Sequence, residues 1–153
     1  MNISDNMSIV AESSLIELTE TADVDRWILP NSRFRYCHPR LTRDNFHCEP
    51  LGSSPMRAGI VMVKRRMMLK QVLIGIKELQ WQVPTYTETQ FLFEKFLMPT
   101  SGGYIYSLCG KVLPIDRFQC IAFVARKGDT LFTNLSGLET SANVQDRFLI
   151  ARF

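Results

Sequence analysis

The stretch "MRAGIVMVKRRMMLKQVLIGIKELQWQV", Met56 to Val83, decides the fold because it carries two periods at once. Its first part alternates as a strand does, with Ile60 and Met62 opposing Val61 and Val63. Its second part sets Met68, Val72, Ile76 and Leu79 at helical spacing among Met, Leu, Lys, Gln and Glu, which are good helix formers. Gly75 and the β-branched Val72, Ile74 and Ile76 work against that helix. The pattern predicts a strand over 58–64 followed by a helix over 66–80.

Downstream, Thr85 and Glu88 have the spacing of a capping box at the head of "TYTETQFLFEKFLMP", Thr85 to Pro99. Phe91, Leu92, Phe96 and Leu97 form an apolar stripe and Pro99 ends the element, so a second helix is predicted here. Four strands follow: "SGGYIYSLCGKVLP", "RFQCIAFVA", "TLFTNL" and "RFLIARF", with "RKGD" (Arg126 to Asp129) turning the chain between the second and third. Ser136 and Glu139 repeat the capping-box spacing, which predicts a short helix before the last strand. That last strand, at the chain terminus, is expected to be a sheet edge open to pairing.

Upstream, "SRFRYCH" alternates Phe34, Tyr36 and His38 against Arg33, Arg35 and Cys37, again the period of a strand. "SLIELTE" (Ser14 to Glu20) reads as a short strand, and "ADVDRWIL" (Ala22 to Leu29) as a turn of helix behind Thr21. The expected fold class is therefore α+β: a mostly antiparallel sheet of five to seven strands with two or three helices. Residues 1–25 are expected to be an acidic, mobile arm, and 26–153 a single domain.

A hydrophobic fraction of 46% with 22% charged residues excludes a disordered tail. The longest apolar runs, "IVMV" and "VLIGI", are far shorter than the ~20 residues a spanning helix needs, so no transmembrane segment is expected. The N-terminus has no basic region followed by an apolar one, so no secretory signal is expected. Four cysteines without an export signal point to free thiols in the cytoplasm or another reducing compartment.

Charge is strongly divided along the chain. Residues 1–32 hold six acids against one base, whereas 33–70 hold nine bases against two acids, and 71–153 are nearly neutral. In the basic segment Arg33, Arg35, Arg40, Arg43, Lys64, Arg65 and Arg66 are interleaved with the aromatic Phe34, Tyr36 and Phe46. Guanidinium groups on phosphates with rings under bases is how single-stranded nucleic acids are held. The candidate nucleic-acid-binding residues are Arg33, Arg35, Tyr36, Arg40, Arg43, Lys64, Arg65 and Arg66. An anionic membrane surface or acidic protein suits the same charge.

Both histidines lie beside cysteines in "RYCHPRLTRDNFHC", Arg35 to Cys48. If the two ends pair as a hairpin, Cys37 faces Cys48 and His38 faces His47 on opposite sheet faces, so the four cannot converge on one zinc. Cys109 and Cys120 repeat the same ten-residue gap, but Cys120 sits in an apolar run where cysteine is ordinary core. No G-x-S-x-G, H-E-x-x-H, P-loop or G-x-G-x-x-G occurs, so no catalytic residue, metal or cofactor is assigned. The expected function is non-enzymatic binding of an anionic partner, foremost RNA. The alternative is a self-associating assembly or adaptor protein, of a viral matrix-like or accessory kind or a bacterial adaptor. In it, the acidic arm of one subunit meets the basic segment of another, or the protein contacts an anionic membrane surface.

Overall fold

The computed structural model describes residues 2–17, 34–48, 55–95 and 103–153. The 56–83 stretch divides as its two periods require: β3 (Arg57–Val63), a short β4 (Met67–Met68), then α1 (Leu69–Glu78). β3 is apolar at nearly every position because both of its faces are covered. Ala58 and Ile60 enter one core cluster, whereas Val61 and Val63 enter another. α1 turns Leu69, Val72, Gly75 and Ile76 inward at helical spacing and leaves Ile74 out. Its glycine has a packing reason. A Cβ at position 75 would meet the sulfur of Met7, so the flexible Met7 side chain packed there would have to turn aside for it.

The remaining strands and α-helix among the described residues are β1 (Met7–Glu12), β2 (Phe34–Cys37), α2 (Tyr86–Lys95), β5 (Ile105–Ser107), β6 (Val112–Ile115), β7 (Phe118–Lys127), β8 (Thr130–Gly137), β9 (Ser141–Ala142) and β10 (Arg147–Arg152). One large sheet runs in the order β1-β3-β10-β5-β7-β8-β2, with β6 added alongside β7, while β4 pairs with β9. The β10–β5 and β2–β8 pairs are parallel and the others antiparallel. Alternation along each strand sends Ala122, Val124, Leu131, Leu149 and Ala151 to the side of α2. It sends Phe123, Ala125, Phe148 and Ile150 to the side of α1. On the α2 side the hydroxyls of Thr89 and Ser107 lie 2.7 Å apart and tie the helix to β5.

The mixed fold, the mostly antiparallel sheet and the single domain agree with the expectation, as do the two α-helices among the described residues, but the sheet there has eight strands rather than five to seven. Part of the excess comes from 101–114, expected as one strand. Its described residues form β5 and β6, because the chain between them leaves the sheet path at Gly110 to bridge Phe46. No helix forms at 136–139: β8 runs through Gly137, paired with Cys120, and a ladder of backbone bonds outweighs a cap spacing. Ile16 makes a single bridge to Met56 where a strand over 14–20 was expected. Met7–Glu12, within the expected mobile arm, instead forms the paired strand β1. The last strand is not an edge, since β10 lies between β3 and β5, and among the described residues the ends of the sheet are β1 and β2. The helical turn expected at 22–29 and residue Arg33 lie outside the described residues.

Candidate functional site

The turn at "RKGD" sets the register that builds the site. Gly128 takes φ 59°, the left-handed value that a two-residue hairpin loop favours at its first position. Lys127 then pairs with Thr130, Ala125 with Phe132, and Phe123 with Asn134. Phe123 and Phe132 become diagonal neighbours on the α1 side of the sheet, with ring centroids 5.9 Å apart. Tyr106 on β5 packs against Phe123 at 5.7 Å and against Phe148 of β10 at 5.8 Å, while Tyr104 meets Phe132 edge-on at 5.0 Å. Four rings from the neighbouring strands β5, β7, β8 and β10, with Tyr104 just before β5, thus form one platform. Tyr104, Tyr106 and Phe132 keep part of their surface in solvent.

A pocket of about 290 Å³ opens over this platform. Tyr106, Phe123, Phe132 and Phe148 form its floor. The rim is polar: Asn134 and Ser136 come from β8 itself, and Thr140, Ser141 and Asp146 from the chain between β8 and β10. The Tyr106 hydroxyl is held above its ordinary pKa by burial first, then by the Asp146 carboxylate and by Tyr104. Asp146 and Tyr106 therefore share one electrostatic environment. Thr140 also borders an adjoining hollow of about 510 Å³ lined by Lys70, Arg117 and Phe118, whose ring is 65% exposed. Lys70 pairs with Glu139 at 3.3 Å across exposed side chains, an ion pair worth little in water.

Cations gather at one end of this platform. Lys127 places its ammonium 5.8 Å from the Tyr104 ring centroid. The exposed turn Lys64–Arg66 is held beside the rim by backbone bonds: Val63 N–H donates to the Asp146 carbonyl at 3.0 Å, and Gln145 N–H to the Val63 carbonyl at 2.8 Å. Immediately after the turn, Met67 pairs with Ala142. Tyr36 arrives from the other side through an irregularity in β2. Phe34 pairs with Leu131, yet Tyr36 pairs with Phe132, so one slipped position carries Tyr36 alongside the platform. Tyr36 is 47% exposed.

The structure separates the sequence-predicted residues into two groups. Tyr36 and Lys64, Arg65 and Arg66 flank the platform, and Arg35 is exposed on β2 next to it. Arg40 and Arg43 do not join them. After Cys37 the chain crosses the α2 side, burying Leu41 and Phe46 there, and Arg43 lies with Asp44, His47, Cys48 and Lys111. The platform rings Tyr104, Tyr106, Phe123, Phe132 and Phe148, with Lys127 and Asp146, are absent from the sequence-based candidates. The signal that finds them is the hairpin register: placing the turn at Gly128 and Asp129 puts Phe123 and Phe132 on one face.

The cysteine–histidine stretch forms no hairpin with itself. β2 pairs with β8, whereas Phe46 bridges Gly110. His38 serves the turn, its Nδ1 accepting from Arg40 N–H at 3.1 Å. Cys37, Cys48, Cys109 and Cys120 are free thiols. Burial pushes the Cys109 thiol up to about 11, which keeps it protonated and poorly nucleophilic. Tyr86 is raised beyond it, by burial first and then by Cys109, Cys48 and Cys37. Among the described residues no three His, Cys, Asp or Glu side chains are placed to hold a metal ion, and no helix is long and apolar enough to cross a membrane. Compared with protein families, with curated proteins and with solved structures, the chain matches none.

Proposed function

We propose that the protein binds single-stranded RNA across the α1 side of β5, β7 and β8. The observation that carries this reading is the five-ring platform, part open to solvent, with Lys127, Lys64, Arg65 and Arg66 at one end and Tyr36 beside it. Rings on a sheet offer stacking surfaces worth ~1–3 kcal/mol per base, and cations along the rim meet the phosphates. The four free thiols suit a reducing compartment.

Fluorescence anisotropy with a short single-stranded RNA, between about 50 and 200 mM salt, tests the reading. Affinity is expected to fall steeply with salt. A Lys64→Glu/Arg65→Glu/Arg66→Glu variant is expected to bind weakly and to flatten the log–log salt slope by about 2, since each lost phosphate contact on a single strand removes ~0.7. An Arg40→Glu/Arg43→Glu variant, altered on the other side, is expected to stay close to wild type. Loss of binding in the second variant with retention in the first overturns the assignment to this face.

A second reading is self-association. Among the described residues β1 ends the sheet, and its Ile9 and Val10 are 39% and 46% exposed. An edge strand with unpaired backbone groups and apolar side chains is a template for a second copy.

A further inference from the structure

The pocket over the platform is acidic although the surface around it is basic. Asp146 is the one charged side chain among the described residues that line it, and none of Lys64, Arg65, Arg66 and Lys127 does so. A pocket of this sign disfavours a phosphate and favours a cation. Strand register brings the carboxylate and two rings to one corner. Phe148 of β10 pairs directly with Tyr106 of β5, and their ring centroids lie 5.8 Å apart. Asp146 stands two positions before Phe148, so alternation returns it to the same face of the sheet, one strand from Tyr106. The carboxylate is near enough to the Tyr106 phenol to add, after burial, to the rise in its pKa. Phe123 closes on Tyr106 from β7 at 5.7 Å, with the two ring planes 72° apart. Rings at such angles cannot all lie flat under one base, whereas a round cation meets several of them at once. The platform already holds one cation in this way, the Lys127 ammonium on the Tyr104 ring.

We propose that this pocket binds a trimethylammonium group, as carried by choline, against the Tyr106 and Phe148 rings and beside the Asp146 carboxylate. A primary ammonium brings three N–H donors, and each one left unmet in a pocket loses the bond it made to water. A quaternary ammonium brings none and asks only for rings and a counter-charge. The counter-charge is held in place, since one Asp146 oxygen accepts from Asn143 N–H at 2.9 Å. At about 290 Å³ the pocket lies at the lower limit of the ~300–1,000 Å³ usual for ligand sites, room for a headgroup and little more. The inference goes beyond the RNA reading and does not depend on it.

Isothermal titration calorimetry of the full chain with choline, ethanolamine and dimethylbutanol tests it. Ethanolamine lacks the methyl groups, and dimethylbutanol has carbon in place of nitrogen, so it keeps the shape of choline without the charge. Choline is expected to bind about 10- to 30-fold more tightly than either, the scale of a desolvated cation–π contact. Asp146→Asn is expected to weaken choline about tenfold and to leave dimethylbutanol unchanged. Because Asp146 also supports its own turn, Tyr106 supplies a second pair of variants. Tyr106→Leu is expected to lose the preference for choline, and Tyr106→Phe, which keeps the ring, to retain it. Phosphocholine and vesicles of phosphatidylcholine are titrated alongside. Binding of the soluble compounds alone identifies a free small molecule as the source of the group, and binding of the vesicles as well identifies a lipid headgroup; both support the site. No binding of choline in any of these forms overturns the inference, as does equal binding of choline and dimethylbutanol. RNA binding without choline binding overturns it and leaves the single-strand reading standing, whereas choline binding without RNA binding does the reverse.

Discussion

At the level of single residues, Cys109 and Tyr86 carry displaced pKa values in the core on the α2 side, whereas Tyr106 carries one in the platform pocket. Cys109 is 1% exposed and its thiol titrates near 11 instead of 9.0 because burial disfavours the thiolate. The sign of the linkage follows. A group whose pKa is raised on folding binds its proton more tightly in the folded state, so its contribution is complete below pH 9.0 and is lost as pH rises through about 11. Denaturant unfolding at intervals across that window is expected to show stability falling, with Cys109 contributing roughly 2–3 kcal/mol. A Cys109→Ala variant is expected to flatten the profile between pH 9.0 and 10.0, above which Tyr86, whose phenol is raised from 10.0 and further still, adds its own fall. An identical slope in the variant refutes the assignment. Gly110, next in the chain, shows why this region tolerates little. A Cβ there would run into the carbonyl oxygen and Cβ of Ala122, so only glycine lets the segment cross β7 at hydrogen-bond range.

At the level of elements, α2 shows a local signal carried through intact. Thr85 N–H donates to the Glu88 carboxylate at 2.9 Å and Glu88 N–H donates to the Thr85 hydroxyl at 3.1 Å, the reciprocal cap that the spacing of these residues implies. Thr85→Ala is expected to lower stability by about 1 kcal/mol, read as a shifted urea midpoint at unchanged slope. Because α2 lies across the sheet from the platform, the same variant is expected to keep its RNA affinity. A midpoint unchanged from wild type means that burial of Tyr86 through Phe93 holds the helix regardless of its cap. α1 was legible from Met68, Val72, Ile76 and Leu79, but the place of Gly75 was not. A glycine inside a helix reads as a weakness until the Met7 side chain that needs its space is known. Ser136 and Glu139 fail for the opposite reason. Their spacing matches a cap, yet strand pairing with β7 claims the backbone first.

At the level of the whole molecule, the two sheet ends and the two sheet faces divide the functional readings. Under the two proposed readings, the β1 edge is where a second copy would pair and the platform is where a strand of RNA would lie. Sedimentation across a concentration series is expected to show wild type associating and a Val10→Lys variant monomeric, because a lysine on an edge strand opposes pairing. The RNA affinity of that variant is expected to be unchanged. A wild-type chain that stays monomeric at every concentration removes the self-association reading.

What the sequence by itself determined is local and periodic. The strand-to-helix division of 56–83, the capped helix, the hairpin at Gly128 and the excess of cations in 33–70 all follow from neighbours within a few residues. Only the tertiary structure decided which cations lie together. Arg40 and Arg43 are nearer in sequence to Tyr36 than Lys64–Arg66 are, yet they fall on the opposite side of the sheet. The physical reason is strand order: β3 and β2 sit toward different ends of one sheet, and the bonds that bring Lys64–Arg66 to the rim come from the turn before β10, more than seventy residues along the chain. Strand order is set by which apolar faces can be buried together, a property of the assembled core that no short window of sequence contains.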